Sequence, residues 1–150
     1  MAYTSASKMD KFLKGKFEKY LMLSGCSESE LLHGVNYETV KAQPSNTNNA
    51  INLIIKIDKA TSYVQAMSKA VNLLTSTSER PYKKIIQEFY FKHCLIREIA
   101  IKIGWSESHT KRLKRRALKE LALRFLAEQS RVGINEDEII NLTEDTELAS

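Results

Sequence analysis

The sequence predicts an all-α fold, with a helical N-terminal part, a long linking helix and a C-terminal helix-turn-helix lobe. Three observations carry that expectation. Apolar residues recur at steps of three and four through several long stretches, the period of helices with one buried face. Only five Gly and two Pro interrupt 150 residues. A hydrophobic share of 43% in a chain of this length supports a real core and excludes a disordered protein. The expected division is a helical region at 1–75 for assembly or polymerase contact, a helix-turn-helix DNA-binding domain at 76–128, and an acidic tail at 129–150.

From Ser7, the residues Met9, Phe12, Leu13, Phe17, Tyr20 and Leu21 form one amphipathic stripe, with lysines at 11, 14, 16 and 19 around it. This reads as a single helix ending near Ser24-Gly25. SESELL at 27–32 suggests a short helical turn closed by His33-Gly34, and the polar stretch 35–50 reads as an irregular connector. From Asn49, Ile51, Ile54, Ile55, Thr61, Val64, Met67, Val71 and Leu74 mark one helix of about 25 residues, roughly 37 Å long. STSERP at 76–81 restarts the helix, with Ser78 as its expected N-cap and Pro81 in its first turn. Ile85, Ile86, Phe89 and Tyr90 supply the next buried stripe. A turn at His93-Cys94 separates it from a short helix over 96–103, and after Gly104-Trp105-Ser106 a long helix runs from Glu107 to about Glu128. The final segment from Gly133 alternates acidic and apolar residues, as either a short docking helix or a disordered tail does.

The formal charge of +5 and the isoelectric point near 9.2 conceal a strong asymmetry. Lys102 to Lys119 carries seven Lys/Arg against one Glu, whereas Glu128 to Ser150 carries one Arg against seven Asp/Glu. Residues 1–20 hold five Lys against two acids. A basic body with an acidic tail suits a polyanion-binding protein. Cys26 and Cys94 show no ligand spacing, no secretory apolar segment opens the chain, and the apolar run at 51–57 is interrupted by Asn52 and Lys56. These features point to reduced thiols, a cytoplasmic setting and no membrane partner. His33, His93 and His109 match no metal spacing, and no phosphate-binding or nucleophile-elbow motif occurs. Neither an enzyme nor a cofactor or metal is therefore expected. Glu136-Asp137-Glu138 reads as a solvated acidic run.

The chemistry concentrates in EIAIKIGWSESHTKRLKRRALK at 98–119. Ile99, Ala100 and Ile103 form the inner stripe of a short helix, and Gly104 supplies the backbone freedom of a tight turn. Trp105 is expected to plug the core between the two helices. In the long helix, Thr110, Leu113, Ala117 and Leu121 share one sector, while Ser108, His109, Arg112, Arg115, Arg116 and Lys119 share the opposite one. A surface helix usually mixes signs, so a one-sign face repels itself unless an anion neutralises it. A basic helix alone is also what a merely solvated helix looks like; the preceding turn is what favours DNA. Ser106 is the expected N-cap, leaving first-turn N–H groups free for a phosphate. Glu107, Ser108, His109, Lys111 and Arg112 then face bases, Arg112 suiting guanine and Glu107 suiting cytosine. Arg115, Arg116 and Lys119 are expected phosphate anchors.

Within this frame, residues 98–126 resemble the ArpU-like, or autolysin-regulator, family of phage late-gene regulators and, more distantly, region four of bacterial sigma factors. The resemblance rests on GWSES at 104–108, RLKRRAL at 112–118 and LALRF at 121–125, with NYETVKAQ at 36–43 similar to the segment that precedes the long helix in such proteins. Thr110 and Lys114 stand where sigma-like modules carry apolar residues. The resemblance implies a sigma-region-4-like helix-turn-helix lobe in an activator of phage or prophage late genes for packaging and lysis. It would act in the cytoplasm of a bacterial host on double-stranded promoter or operator DNA, with host RNA polymerase and a second copy of the chain as further candidate partners. Two alternatives remain: a DNA-packaging small terminase subunit, and a sigma-like adaptor that holds RNA polymerase without reading DNA.

Overall fold

The computed structural model describes residues 4–33 and 48–143, which form seven α-helices and no strand; one isolated bridge joins Ser76 and Pro81. Helix α1 spans Ser5–Lys14 and is capped by Thr4, whose hydroxyl accepts the Ser7 N–H at 3.2 Å. The single helix expected from Ser7 to Ser24 is instead two, because Gly15 leaves helical geometry and α2 starts afresh at Lys16–Ser24. A Cβ at Gly15 would lie 3.2 Å from the Lys11 carbonyl oxygen, a tight contact that glycine avoids at the break. The redirected α2 buries Phe17 and Leu21 beside Met9, Phe12 and Leu13 of α1. Gly25 ends α2 in the left-handed region at φ 72°, and α3 covers Glu28–His33. Most of the connector expected at 35–50, with the NYETVKAQ segment, lies outside the described residues.

Helix α4, Asn48–Asn72, has the expected 25 residues. Its stripe is buried only from Ala60 onward, where Tyr63, Val64, Met67 and Val71 pack against α2 and α7. Contrary to the expected continuous stripe, Ile51 and Ile55 are 42% and 46% exposed, and Leu53 beside them is exposed too. The next helix does not start at Ser78. Arg80 donates its N–H to the Thr77 hydroxyl and accepts the Thr77 N–H, folding 77–80 into a turn, so α5 begins after Pro81 at Tyr82–Ile86.

Helix α5 runs on through a π-helical segment, Gln87–Phe91. The wider turn rotates the following side chains, so that Glu88, Tyr90 and Phe91 are buried with Ile85 and Ile86 while Phe89 is half-buried. Helices α6, Ile96–Ile103, and α7, Glu107–Arg131, complete the set. One hydrophobic core extends from Ala6 through Val64 and Ile86 to Phe125, so it crosses the boundary expected at 75/76. Helix α7 runs through it, in contact with α1, α4, α5 and α6.

The acidic segment folds back on the bundle as far as residue 143. Gln129, fully buried, donates to the Ile140 carbonyl at 2.8 Å and accepts the Ile140 N–H at 2.7 Å. Glu136–Glu138 forms a 3-10 turn, in which Glu138 pairs with Lys59 at 2.8 Å and accepts the Tyr63 hydroxyl at its carbonyl. The expected free acidic run is therefore partly docked, because Tyr63 and Lys59 of α4 give Glu138 its partners.

Glu88 fastens the π segment to α6. Its buried carboxylate accepts from Lys102 at 2.9 Å, Lys92 at 3.2 Å and the Cys94 thiol at 3.2 Å. Burial alone would raise its pKa, but these hydrogen bonds outweigh it and hold the value at about 2 instead of 4.5. A depressed carboxylate contributes stability that is complete above the unfolded value and is lost as pH falls through the folded one. Glu88→Gln should therefore abolish a difference on the order of 2 kcal/mol in stability that wild type shows between neutral pH and about pH 2. Urea unfolding of both chains across that range measures it; parallel pH profiles would contradict the assignment.

Candidate nucleic-acid interface

The turn between α6 and α7 is built from three residues and short-range hydrogen bonds. Ile99 and Ala100 are buried and Ile103 is half-buried, which seats α6 on α7 as its inner stripe requires. Gly104 takes φ 77°, a region that side-chain-bearing residues rarely adopt, and donates its N–H to the Ala100 carbonyl at 3.0 Å. Trp105 donates to the same carbonyl at 3.1 Å. Ser106 then caps α7 by accepting the His109 N–H at 3.1 Å, and the Thr110 hydroxyl donates to the Ser106 carbonyl at 2.8 Å.

Helix α7 divides into the two expected faces. Thr110, Leu113, Ala117 and Leu121 are buried, each 2% exposed or less. Lys111, Arg112, Arg115, Arg116 and Lys119 are exposed, as are Ser106, Glu107 and Ser108, while His109 is half-buried. Eight of the nine candidate DNA-contacting residues are thus exposed along the turn and the first half of α7, and His109 is half-buried beside them. Among the described residues none of the five cations is in an ion pair, whereas Lys114, Arg124 and Arg131 of the same helix are. No carboxylate lies between Glu107 and Glu120 to relieve their mutual repulsion.

Lys114 is a cation of a different kind. Its ammonium sits 3.7 Å from the Phe89 ring centre and 4.0 Å from Asp10 of α1. Burial lowers its pKa, with Asp10 opposing that effect. Asp10 also accepts the Tyr90 hydroxyl and pairs with Lys14 at 3.2 Å. Thr110 and Lys114 are therefore both turned inward, Thr110 onto the backbone and Lys114 onto an aromatic face.

Trp105 corrects its expectation. It is 42% exposed and lies against the His109 ring, with centres 4.4 Å apart, rather than filling the core. The three-residue turn places it outside the stripe formed by Ile99, Ala100 and Leu113, and it extends the cationic face with an aromatic surface. Sequence periodicity also missed α1 as a neighbour, since α1 lies along one flank of α7 through contacts more than 90 residues apart. The lysine content of residues 1–20 was the one available signal.

Among the described residues, no group of three or more His, Cys, Asp or Glu side chains is arranged to hold a metal, and no helix is long and apolar enough to cross a membrane. Cys26 is buried, and the half-buried Cys94 donates its thiol to Glu88 at 3.2 Å. Comparison of the chain with protein-family models, curated proteins and solved structures finds no match.

The Ser106 cap sets where α7 begins. Ser106→Ala should lower stability by about 1 kcal/mol, and Ser106→Gly by only a few tenths, when measured by thermal unfolding. Equal losses from both would show that the hydroxyl is not the stabilising group.

Proposed function

We propose that this chain is a sequence-specific, DNA-binding transcriptional regulator and not an enzyme, with α6 and α7 as its helix-turn-helix. The observation that carries this reading is the outward face of α7: five exposed cations without ion-pair partners among the described residues, immediately after a capped three-residue turn. Such a face is poorly suited to bare solvent and well suited to phosphates. Ser108, His109, Lys111 and Arg112 lie in the first turns of α7, the part of a recognition helix that meets base edges. Arg115, Arg116 and Lys119 lie farther along and supply affinity and register through the backbone. The exposed Trp105, against the half-buried His109 ring, adds a surface for sugar or base contact at the same end.

The resemblance at 98–126 supports the narrower role of activating phage or prophage late genes in a bacterial cytoplasm beside host RNA polymerase. The inward packing of Thr110 and Lys114 is compatible with a sigma-region-4-like lobe, since neither presents its polar group to the outer face.

Gel shifts against duplex DNA test the recognition face. Arg112→Ala with Arg115→Ala should weaken binding more than about tenfold, an Arg–guanine contact alone being worth roughly 1–3 kcal/mol. The wild-type log–log salt slope should fall near about −4 if four or five α7 cations each neutralise a phosphate. Unchanged affinity in the double variant, or a flat salt dependence, rejects the reading.

A second reading, a DNA-packaging subunit that works as a ring, draws on Ile51, Leu53 and Ile55, apolar and exposed on α4. Mass measurement in solution separates the two: a monomer or dimer supports regulation, and a stable ring of many copies supports packaging.

A further inference from the structure

Helix α1 and α7 enclose an open groove of about 570 Å³. Thr4, the cap of α1, and Ser7, in its first turn, line one wall, and Lys111, Arg115 and Lys119 of α7 line the other. We infer that this groove seats a backbone phosphate of the same duplex that α7 holds, so that the N-terminal end of α1 is a second arm of the DNA interface. The inference rests on the reading of α7 as the DNA-binding helix and extends it to residues outside the helix-turn-helix.

Charge is the first argument. Of the four cations in the lining, Lys111, Arg115 and Lys119 are exposed and make no ion pair among the described residues, while the half-buried Lys114 faces Asp10. The one carboxylate in the lining, Asp10, is already committed: it accepts the Tyr90 hydroxyl, pairs with Lys14 and faces Lys114. Its charge is therefore matched by Lys14 and Lys114, and Lys111, Arg115 and Lys119 keep no counter-charge from it. The first turn of α1 carries no acidic residue, and Thr4, Ala6 and Ser7 of that end line the groove.

Continuity and rigidity are the second and third. Arg115 and Lys119 belong at once to the groove and to the outward face of α7, so a strand tracking that face reaches the groove without leaving the cationic surface. The wall formed by α1 is held in place, since Phe12 packs on Phe125 with ring centres 5.4 Å apart and Asp10 is tied to Tyr90. A phosphate arriving there meets a preformed site, and ordering the wall costs little. The hydroxyls of Thr4 and Ser7 are placed to donate to it, Ser7 giving up its bond to the Thr4 carbonyl at 2.9 Å.

Opposite charges at position 7 test the clamp. Ser7→Glu completes a Thr-x-x-Glu capping box with Thr4 and so preserves or stabilises α1, whereas Ser7→Lys opposes the helix dipole slightly. DNA affinity should move the other way. For the full chain on a short mixed-sequence duplex, Ser7→Glu should weaken binding on the order of tenfold and reduce the salt slope by about one, and Ser7→Lys should tighten binding. Variants that leave affinity unchanged, or that both shift it in one direction, overturn the clamp. Arg112→Ala, measured in parallel, separates the two levels: if it weakens binding while position 7 is silent, α7 remains the interface and α1 does not join it. If neither position matters, or wild type binds no duplex, the clamp and the reading beneath it fall together.

Discussion

The structure depends on the burial of a single stripe of α7. Leu113, Leu121 and Phe125 are essentially inaccessible, and each contributes about 1.5–3 kcal/mol on burial. On the opposite side, the i,i+4 pairs Lys111–Arg115, Arg112–Arg116 and Arg115–Lys119 repel by a few tenths of a kcal/mol each. The core side wins by several-fold, which is why a helix with a one-sign face folds without an internal counter-charge. That surplus lets the outer face be specified for a partner rather than for stability.

Polar side chains along the edges of the same helix position the elements around it. Glu120 accepts both the N–H and the hydroxyl of Thr75, at 2.8 and 2.7 Å, and so fixes the end of α4. Lys114 bridges the π segment and α1 through Phe89 and Asp10, and Gln129 holds the returning chain at Ile140. These contacts, spread over α7, join the N-terminal helices, the π segment and the acidic return to one scaffold. The candidate interface is consequently borne by a helix packed against α1, α4, α5 and α6, with its geometry set before any ligand arrives.

What was legible in the sequence was local. The limits of α6, the Gly104 turn, the Ser106 cap and the two faces of α7 follow from spacing and capping chemistry within a few residues, and all appear as expected. Periodicity cannot see a change of direction that preserves phase, so Gly15 hid the division into α1 and α2. Nor can it see the π turn at Gln87–Phe91, where one added residue shifts the buried set from Phe89 to Phe91. Ile51 and Ile55 fit a core stripe by spacing, but burial requires a neighbour, and their half of α4 extends beyond the reach of the core. Trp105 failed for the same reason in reverse: composition favours a buried tryptophan, while the length of the turn decided its place. The groove between α1 and α7 joins residues about 100 positions apart, and only its charge left a trace in the sequence.

A scaffold of this kind, with five unpaired cations along one face of α7 among the described residues, is best tested by asking where a duplex touches it. Titrating the isotopically labelled full chain with DNA and following backbone amide shifts does this directly. The proposed interface requires the largest changes between Gly104 and Lys119, with α3 and the exposed half of α4 undisturbed. Changes concentrated on α3 and α4, with α7 silent, would contradict it.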